Sequence, residues 1–560
     1  MVFLTKLIST VLALAMTISS FLPFPALKEE STPVYDIDHA AYSDTKNGLN
    51  ASSADSVRVA ENKGLFSTEE VLNDTIRFSN KALGYSFNLP KGLELVDMAD
   101  ASYRATFAND STRLEVYTQA LPENSSAKIY LSYSNQFLEN SDDFTKTFDE
   151  THTIGTSTYH TLAWNRRSLS EIENDRNYYG LVDYVTEDEM VYSFLMTSQE
   201  EISGTTLKAI AESVEIFRAT KEARDYPRFA SARIDEWNEE TTAFYNAYFG
   251  ESAPLTWGVF EPLANGKSVE SLESLESSLD YHFDILLRYT SVQPGLEYEE
   301  NYVYDTLTKY WEHGSVTELT LQTRLYNASE ETNAIFEILD GACDEYLREY
   351  ARDVARFGHP VLFRPFNEMN GDWCNYSAYW AGRDCDIYVE LYRYIYRIFE
   401  EEGANANTLW VWNPNERSFP DFPWNHVDNY YPGDEYVDIV GLTGYNTGDY
   451  YEGESWRSFN DIYAPLYAET SAQYKQPLMI TEFASASHGG DKVEWINDMF
   501  EQITHYPRVK VAVWWDGADL TADKEIARNY YLRENEEVTK AVGDNLPDID
   551  VNQIGGNEEK

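Results

Sequence analysis

The chain has 560 residues, 43% of them apolar and 25% charged, with a formal net charge of −52 at pH 7. That length exceeds one ordinary domain, and that acidity excludes a generic nucleic-acid surface, which needs clustered Lys and Arg. It also disfavours anionic membranes and polyanionic glycans, whereas a neutral polysaccharide meets no such repulsion and can stack its rings on some of the 42 Tyr and 13 Trp.

In chain order, residues 1–26 read as an export signal. Lys6 gives a positive start, Leu7 to Ala26 is apolar and uncharged, and Lys28-Glu29-Glu30 ends the run. The run is also long enough to span a bilayer, so an uncleaved membrane anchor is the alternative to a cleaved signal. Either way the rest of the chain is expected outside the cytoplasm, and with a cleaved signal it is a secreted protein. Residues 27–63 are polar and acidic without periodicity and read as a linker.

Residues 64–222 are expected to form a small α+β accessory domain. Tyr85, Phe87 and Leu89 alternate as a half-buried strand would. Asn109-Asp110 marks a hairpin between 104–107 and 113–117, and Glu187-Asp188-Glu189 marks a second between 181–185 and 190–194. Helices are predicted over 126–140 and 204–216. The pattern resembles the small PsbP-like or Mog1-like α/β fold, with no motif to carry the likeness and no catalytic constellation. The segment around Arg224-Asp-Tyr-Pro-Arg228 reads as a connector.

From 230 to 540 short β-rich runs alternate with amphipathic helices. Eight strands are predicted, at 256–260, 283–289, 318–323, 361–366, 409–413, 437–442, 478–481 and 509–514. Between them, Ile387, Leu391, Ile395, Ile398 and Phe399 form one apolar stripe at helical spacing. Eight βα units in a row indicate a closed parallel (β/α)8 barrel. The gap after Asn415, with Pro420, Pro423 and Pro432, reads as a loop, and 541–560 as an acidic tail. The three cysteines are too few for a disulfide framework. Cys374 and Cys385 either close a short loop or stay unpaired with Cys343. No metal-ligand motif is found, and no metal or cofactor is expected.

Reacting groups of such barrels sit at the C-terminal ends of strands. Two predicted strands end in glutamate: His359-Pro-Val-Leu-Phe-Arg-Pro-Phe-Asn-Glu-Met-Asn-Gly-Asp-Trp373 and Pro477-Leu-Met-Ile-Thr-Glu-Phe483. A carboxyl straight after an apolar strand core is costly unless satisfied or useful. Glycosidic cleavage needs two carboxyls, one to protonate the leaving oxygen and one to attack the anomeric carbon or activate water. Glu368 and Glu482, on strands four and seven, can face each other across the barrel mouth.

Residues 255–517 resemble glycoside hydrolase family 26, the β-mannanase family within the clan of retaining (β/α)8 glycosidases. The likeness rests on Arg364-Pro-Phe-Asn-Glu-Met-Asn-Gly-Asp-Trp373, Leu409-Trp-Val-Trp-Asn-Pro-Asn415, Asp438-Ile-Val-Gly-Leu-Thr-Gly-Tyr-Asn446 and Ile480-Thr-Glu-Phe483, in that order. It implies Glu368 as acid/base, Glu482 as nucleophile and retention through a covalent glycosyl-enzyme. It leaves residues 29–230 unexplained.

The chain departs from the family pattern at three places. Asn367 stands where His is usual, as in sister families where Asn holds the substrate 2-hydroxyl. Thr443 replaces Asp in the sixth-strand motif. The third strand ends Leu321-Gln-Thr-Arg324 without the Trp-rich subsite pattern. These departures bear on which sugar is taken rather than on hydrolysis, so mannan, mixed-linkage glucan and xylan stay open.

The remaining candidate substrate-binding residues are Arg364, Trp373, Asn415, Tyr445 and Trp514. Arg364 shares strand parity with Glu368 and should point inward to hold a carboxylate. Tyr445, ending strand six, is placed to hydrogen-bond Glu482. Trp373 and Trp514 are sugar platforms. Trp514 and Trp515 are adjacent, so only one faces the mouth, and the resemblance favours Trp514. His282 and His359, each before a strand at the opposite end, read as structural. A binding-only barrel and a cell-surface scaffold are the competing functions, and the intact glutamate pair argues against the first. The oligomeric state is not readable.

Overall fold

The computed structural model describes residues 62–547 apart from 72–74, 99, 122–124, 141, 226–235 and 324–332. The export signal, nearly all of the linker, Arg324 and residues 548–560 lie outside the described residues. The chain divides into two compact units, one dominated by residues up to Pro227 and one from Arg228 onward.

The first unit is built from two antiparallel sheets. One joins Phe66–Val71, Thr75–Asn80, Tyr85–Leu89 and Glu215–Ile216. The other has seven strands, in spatial order Glu94–Asp97, Arg104–Ala108, Thr112–Ala120, Met190–Ser198, Tyr178–Val185, Ser157–Arg166 and Phe144–Ile154. Both predicted hairpins are present. A third, joining Phe144–Ile154 to Ser157–Arg166, carried no sequence signal. Its first strand is a sheet edge exposed along most of its length, so it shows no apolar alternation. The helix expected over 126–140 is two pieces, Ala127–Ser134 and Phe137–Asn140, because Asn135 ends the first. Gly204–Ser213 follows Ser203, whose side chain accepts from Thr206 N.

The second unit is a (β/α)8 barrel. Its strands are β1 (Thr256–Phe260), β2 (Ile285–Ser291), β3 (Val316–Gln322), β4 (Val361–Pro365), β5 (Thr408–Trp412), β6 (Ile439–Asn446), β7 (Leu478–Ser485) and β8 (Val509–Trp515). They pair in parallel and in sequence order, and β8 closes on β1. The helices used below are α1 (Glu239–Tyr248), α2 (Glu270–Leu279), α3 (Tyr302–His313), α4 (Asp344–Phe357), α5 (Cys385–Glu401), α6 (Phe459–Gln473), α7 (Lys492–Gln502) and α8 (Glu536–Asn545). The apolar stripe from Ile387 to Phe399 lies on α5 and is buried. After β5 the chain makes only 3₁₀ turns, as its prolines require.

The barrel interior is layered. Ile285, Leu287, Val316, Leu362, Leu409, Val411, Ile439, Met479, Val511 and Val513 form one apolar cluster, which also takes in Trp237, Phe244, Tyr245 and Tyr248 on and beside α1. Helix α1 therefore plugs the N-terminal end. Alternation along each strand then carries Tyr289, Thr320, Arg364, Asn413, Thr443 and Tyr445 inward above that apolar floor. The polar layer is the barrel's C-terminal mouth.

One expectation is corrected, and one open alternative is decided. Residues 541–545, expected in an acidic tail, close α8, where Ala541 and Val542 are buried. No disulfide joins Cys374 and Cys385, and all three cysteines are buried.

Candidate active site

The mouth is organised around one carboxylate. Glu482 Oε1 accepts from Arg364 Nη1 at 2.8 Å and from Asn367 Nδ2 at 3.3 Å. Its Oε2 accepts from Tyr289 Oη at 2.5 Å and from Tyr445 Oη at 2.9 Å. Four donors from β2, β4, the loop after β4 and β6 thus fix both oxygens, and the Tyr289 bond has the short length of a charge-assisted one.

A β-bulge aims that side chain. Met479 belongs to the interior cluster, so simple alternation would turn Glu482 outward. The register slips instead: Leu442 pairs with Ile480, but Thr443 pairs with Glu482, leaving Thr481 extra. Thr481 and Glu482 then both face the mouth, with Thr481 Oγ1 3.0 Å from Thr443 Oγ1. Phe483 returns to the outer layer against Trp514, with ring centroids 5.1 Å apart. Gly441 makes room for the bulge, since a Cβ there would lie 2.7 Å from both Asn413 Cβ and Thr481 Cγ2.

Arg364 is fully buried and holds more than Glu482. Its Nε donates to Thr320 Oγ1 at 2.8 Å and lies 3.1 Å from Glu318 Oε1, and its Nη1 also donates to Asn413 Oδ1 at 3.0 Å. One guanidinium therefore faces two carboxyls. Glu482 has the aligned donors. Glu318, one layer deeper and fully buried, has no well-aligned hydrogen bond to either oxygen. Burial outweighs the guanidinium there, the charge of Glu482 adds to it, and the Glu318 carboxyl is pushed up to about 8.

The second glutamate sits on a strained loop. Phe366 and Glu368 take φ of 52° and 56°, in the left-handed region that bulky residues avoid. The loop is pinned by Phe366 N to Leu321 O and by Glu368 N to Asn413 O, each 2.7 Å. Tyr376 Oη adds a bond to Asn367 O at 2.7 Å. The half-buried Glu368 accepts from Trp373 Nε1 at 3.3 Å. Burial, then the charge of Glu482, push its carboxyl up to about 8 against the opposing pull of Arg364 and the Trp373 bond, with Glu416 adding to the rise. Glu416 is itself held by both terminal nitrogens of Arg457, one of which also donates to Tyr445 O at 2.7 Å. The mouth thus sets a multiply bonded carboxylate beside a carboxyl that keeps its proton near neutrality, the acid and base roles that one environment can separate.

Residues 299–505 match the family described as Glycosyl hydrolase family 26. That stretch is similar to the family. Endoglucanase H of Acetivibrio thermocellus is 33% identical over 37% of this chain and 22% of its own length. A mannan endo-1,4-β-mannosidase of Bacillus subtilis is 27% identical over 40% of this chain and 63% of its own. A solved Bacillus subtilis mannanase aligns at 19% identity with a TM-score of 0.37, over 51% of this chain and 89% of that one. The chain therefore spans from about a fifth to under two thirds of the length of these two curated relatives.

Within the barrel, Glu368, Glu482, Arg364, Asn367, Trp373 and Tyr445 meet at one mouth. Two candidates do not. Trp514 is buried in the outer layer, its Nε1 donating to Tyr530 O at 2.9 Å and its ring against Phe483 and Trp495. Parity from Val511 and Val513 places Trp515 inward instead, stacked on Phe260 at 5.3 Å and near Tyr445 and Tyr530. Asn415 turns its amide to Arg417 O at 2.8 Å, and its backbone is gripped by Asn370. The asparagine of that motif which reaches the network is Asn413.

Sequence reasoning missed Tyr289, Glu318, Asn413 and Trp515. Tyr289 and Asn413 continue the inward parity of Leu287 and Val411, so alternation beyond the apolar core was the available signal. Glu318 interrupts an otherwise apolar and Thr-bearing strand, the pattern that marks a buried charge with a partner.

Proposed function

We propose that this protein is an exported, retaining glycoside hydrolase that cleaves a neutral β-linked polysaccharide, with Glu482 as nucleophile and Glu368 as acid/base. The observation that carries the reading is the pair itself: a carboxylate held by four donors beside a carboxyl raised to about 8. Glu368 gives its proton to the glycosidic oxygen as the bond to the anomeric carbon breaks. Glu482 closes on that carbon and forms the glycosyl-enzyme. Glu368, now ionised, takes a proton from the water that releases the sugar. The family match over residues 299–505 and the family pattern support retention. The apolar run of residues 7–26 supports export.

Asn367 Oδ1 is a buried acceptor without a hydrogen-bond partner, on the amide whose Nδ2 reaches Glu482. A sugar hydroxyl next to the anomeric carbon supplies the missing donor. Phe260, Tyr289, Trp515, Tyr445 and Tyr530 form a chain of aromatic rings beside it, which supports Trp515 as a sugar platform. The relatives' names, an endoglucanase and mannan endo-1,4-β-mannosidases, favour β-1,4-linked glucose or mannose backbones among the candidates. A reducing-sugar assay on mannan, mixed-linkage glucan and xylan tests the proposal. New reducing ends from the wild type, lost in Glu482→Ala, are expected. Binding to a glycan without cleavage of any of them contradicts hydrolysis and leaves a binding barrel.

A further inference from the structure

We propose that Glu276, His282 and His313 form a divalent-cation site of the zinc class at the end of the barrel opposite the active site. Glu276 lies on α2, His282 in the turn before β2, and His313 is the last residue of α3. One ligand atom from each falls within 4.8 Å of the others. The two histidines are far apart in sequence and match no ligand motif, so only the fold brings them together.

Donor accounting points to a cation. Ser315 Oγ spends its single hydrogen on Phe283 O at 2.7 Å, so at 3.0 Å it accepts from His313 Nδ1, which must carry the proton. His282 Nε2 lies 3.3 Å from Gly314 O, which can only accept, so that nitrogen is protonated too. In the neutral rings the inward atoms, His313 Nε2 and His282 Nδ1, are then lone pairs. They face the two oxygens of Glu276 at 2.9 and 3.2 Å. Lone pairs aimed at a carboxylate repel unless something positive lies among them. Two protonated imidazoles would serve, but their ring centroids are only 4.8 Å apart, so the like charges would crowd around one carboxylate. A single divalent ion meets all the lone pairs at once.

The site has other features of a metal centre. Each histidine donates its outer N–H to an oxygen, the arrangement that fixes tautomer and aim in metal-bound imidazoles. Glu276 is steadied by Phe283 N, which donates to Oε1 at 2.8 Å. Two imidazoles and a carboxylate suit zinc, cobalt or nickel rather than calcium or magnesium. Ligand atoms about 3.3 Å apart are what tetrahedral bonds of about 2.0–2.1 Å require; the two Glu276–histidine distances, 2.9 and 3.2 Å, are near that, and the three ligand atoms lie within 4.8 Å of one another. The His282 side chain is 33% exposed and gives the ion a way in from solvent. The ion would tie α2 and α3 to the start of β2. Groups at this end of a barrel serve stability rather than chemistry.

The test uses the full chain, stripped with a chelator and titrated with Co2+ and then Zn2+. One equivalent of Co2+ should bind with visible d–d absorption, be displaced by Zn2+ and raise Tm. Glycan cleavage should not change. His282→Gln, at a partly exposed ring, should weaken Co2+ binding by roughly tenfold or more while the metal-free chain still folds. Glu276→Gln should do the same. A wild-type chain that gives no stoichiometric d–d signal overturns the proposal and leaves two protonated histidines. A signal unchanged in both variants overturns it as well.

Discussion

Glu368 is the residue whose environment speaks most directly to reaction chemistry. Burial and the neighbouring Glu482 keep its proton on to about pH 8. As the general acid it must be protonated, so kcat/KM should fall as pH rises through about 8. Glu368→Gln should lose natural polysaccharide substrates while sparing activated aryl glycosides, whose leaving groups need little protonation. Equal losses on both would contradict the assignment. Tyr289 gives Glu482 its shortest hydrogen bond. A bond to a charged acceptor contributes ~1.5–3 kcal/mol, so Tyr289→Phe should slow turnover roughly 10–100-fold with the fold intact. The adjacent tryptophans separate packing from binding. Trp514→Ala, in the closed outer layer, should cost about 3–5 kcal/mol of stability by chemical denaturation. Trp515→Ala should mainly raise KM. The reverse pattern would mean that the parity of β8 is read wrongly.

At the scale of elements, the bulge in β7 decides whether the barrel can have an active site. Most of the fold was legible because eight apolar runs separated by amphipathic helices leave few other topologies. The register was not. Nothing in Leu478-Met-Ile-Thr-Glu482 announces that Thr481 is extra, since a bulge is set by the strands on either side. The glutamates were recognised from their motifs, while the side chains that hold them had to be found by parity. At Trp514 the resemblance and the alternation from Val511 and Val513 give opposite answers, and β8 follows the alternation. Gly441→Ala, which would press on Thr481 and Asn413, should lower kcat without removing Glu482. Unchanged kinetics would show that the close approach there is not needed.

Glu318 gives the same barrel layer a pH signature. Its carboxyl stands near 8 when folded and near the ordinary 4.3 when unfolded, so from about pH 4 to 8 the folded chain holds a proton that the unfolded one releases. This contribution is complete below about pH 4 and is lost as pH rises through 8, at up to ~1.4 kcal/mol per pH unit. Glu318→Gln, neutral throughout, should flatten that decline in denaturant titrations between pH 5 and 8. An unchanged slope would mean that Glu318 is already ionised beside Arg364.

For the whole molecule, the residues that meet at the mouth lie between Tyr289 and Trp515, all within the unit from Arg228 onward. A chain beginning near Arg228 and ending at residue 547 should fold and cleave soluble oligosaccharides nearly as well as the full chain. Any loss should appear on insoluble glycan, where an accessory unit raises local concentration. A folded but inactive barrel would assign part of the chemistry to the first unit. The central claim, that Glu482 attacks the sugar with Glu368 as its acid/base partner, is tested most directly by trapping. The enzyme is incubated with an activated 2-deoxy-2-fluoro glycoside of whichever sugar it cleaves, digested, and the adduct located by mass spectrometry. The adduct should fall on Glu482. A covalent label on any other residue would contradict the account.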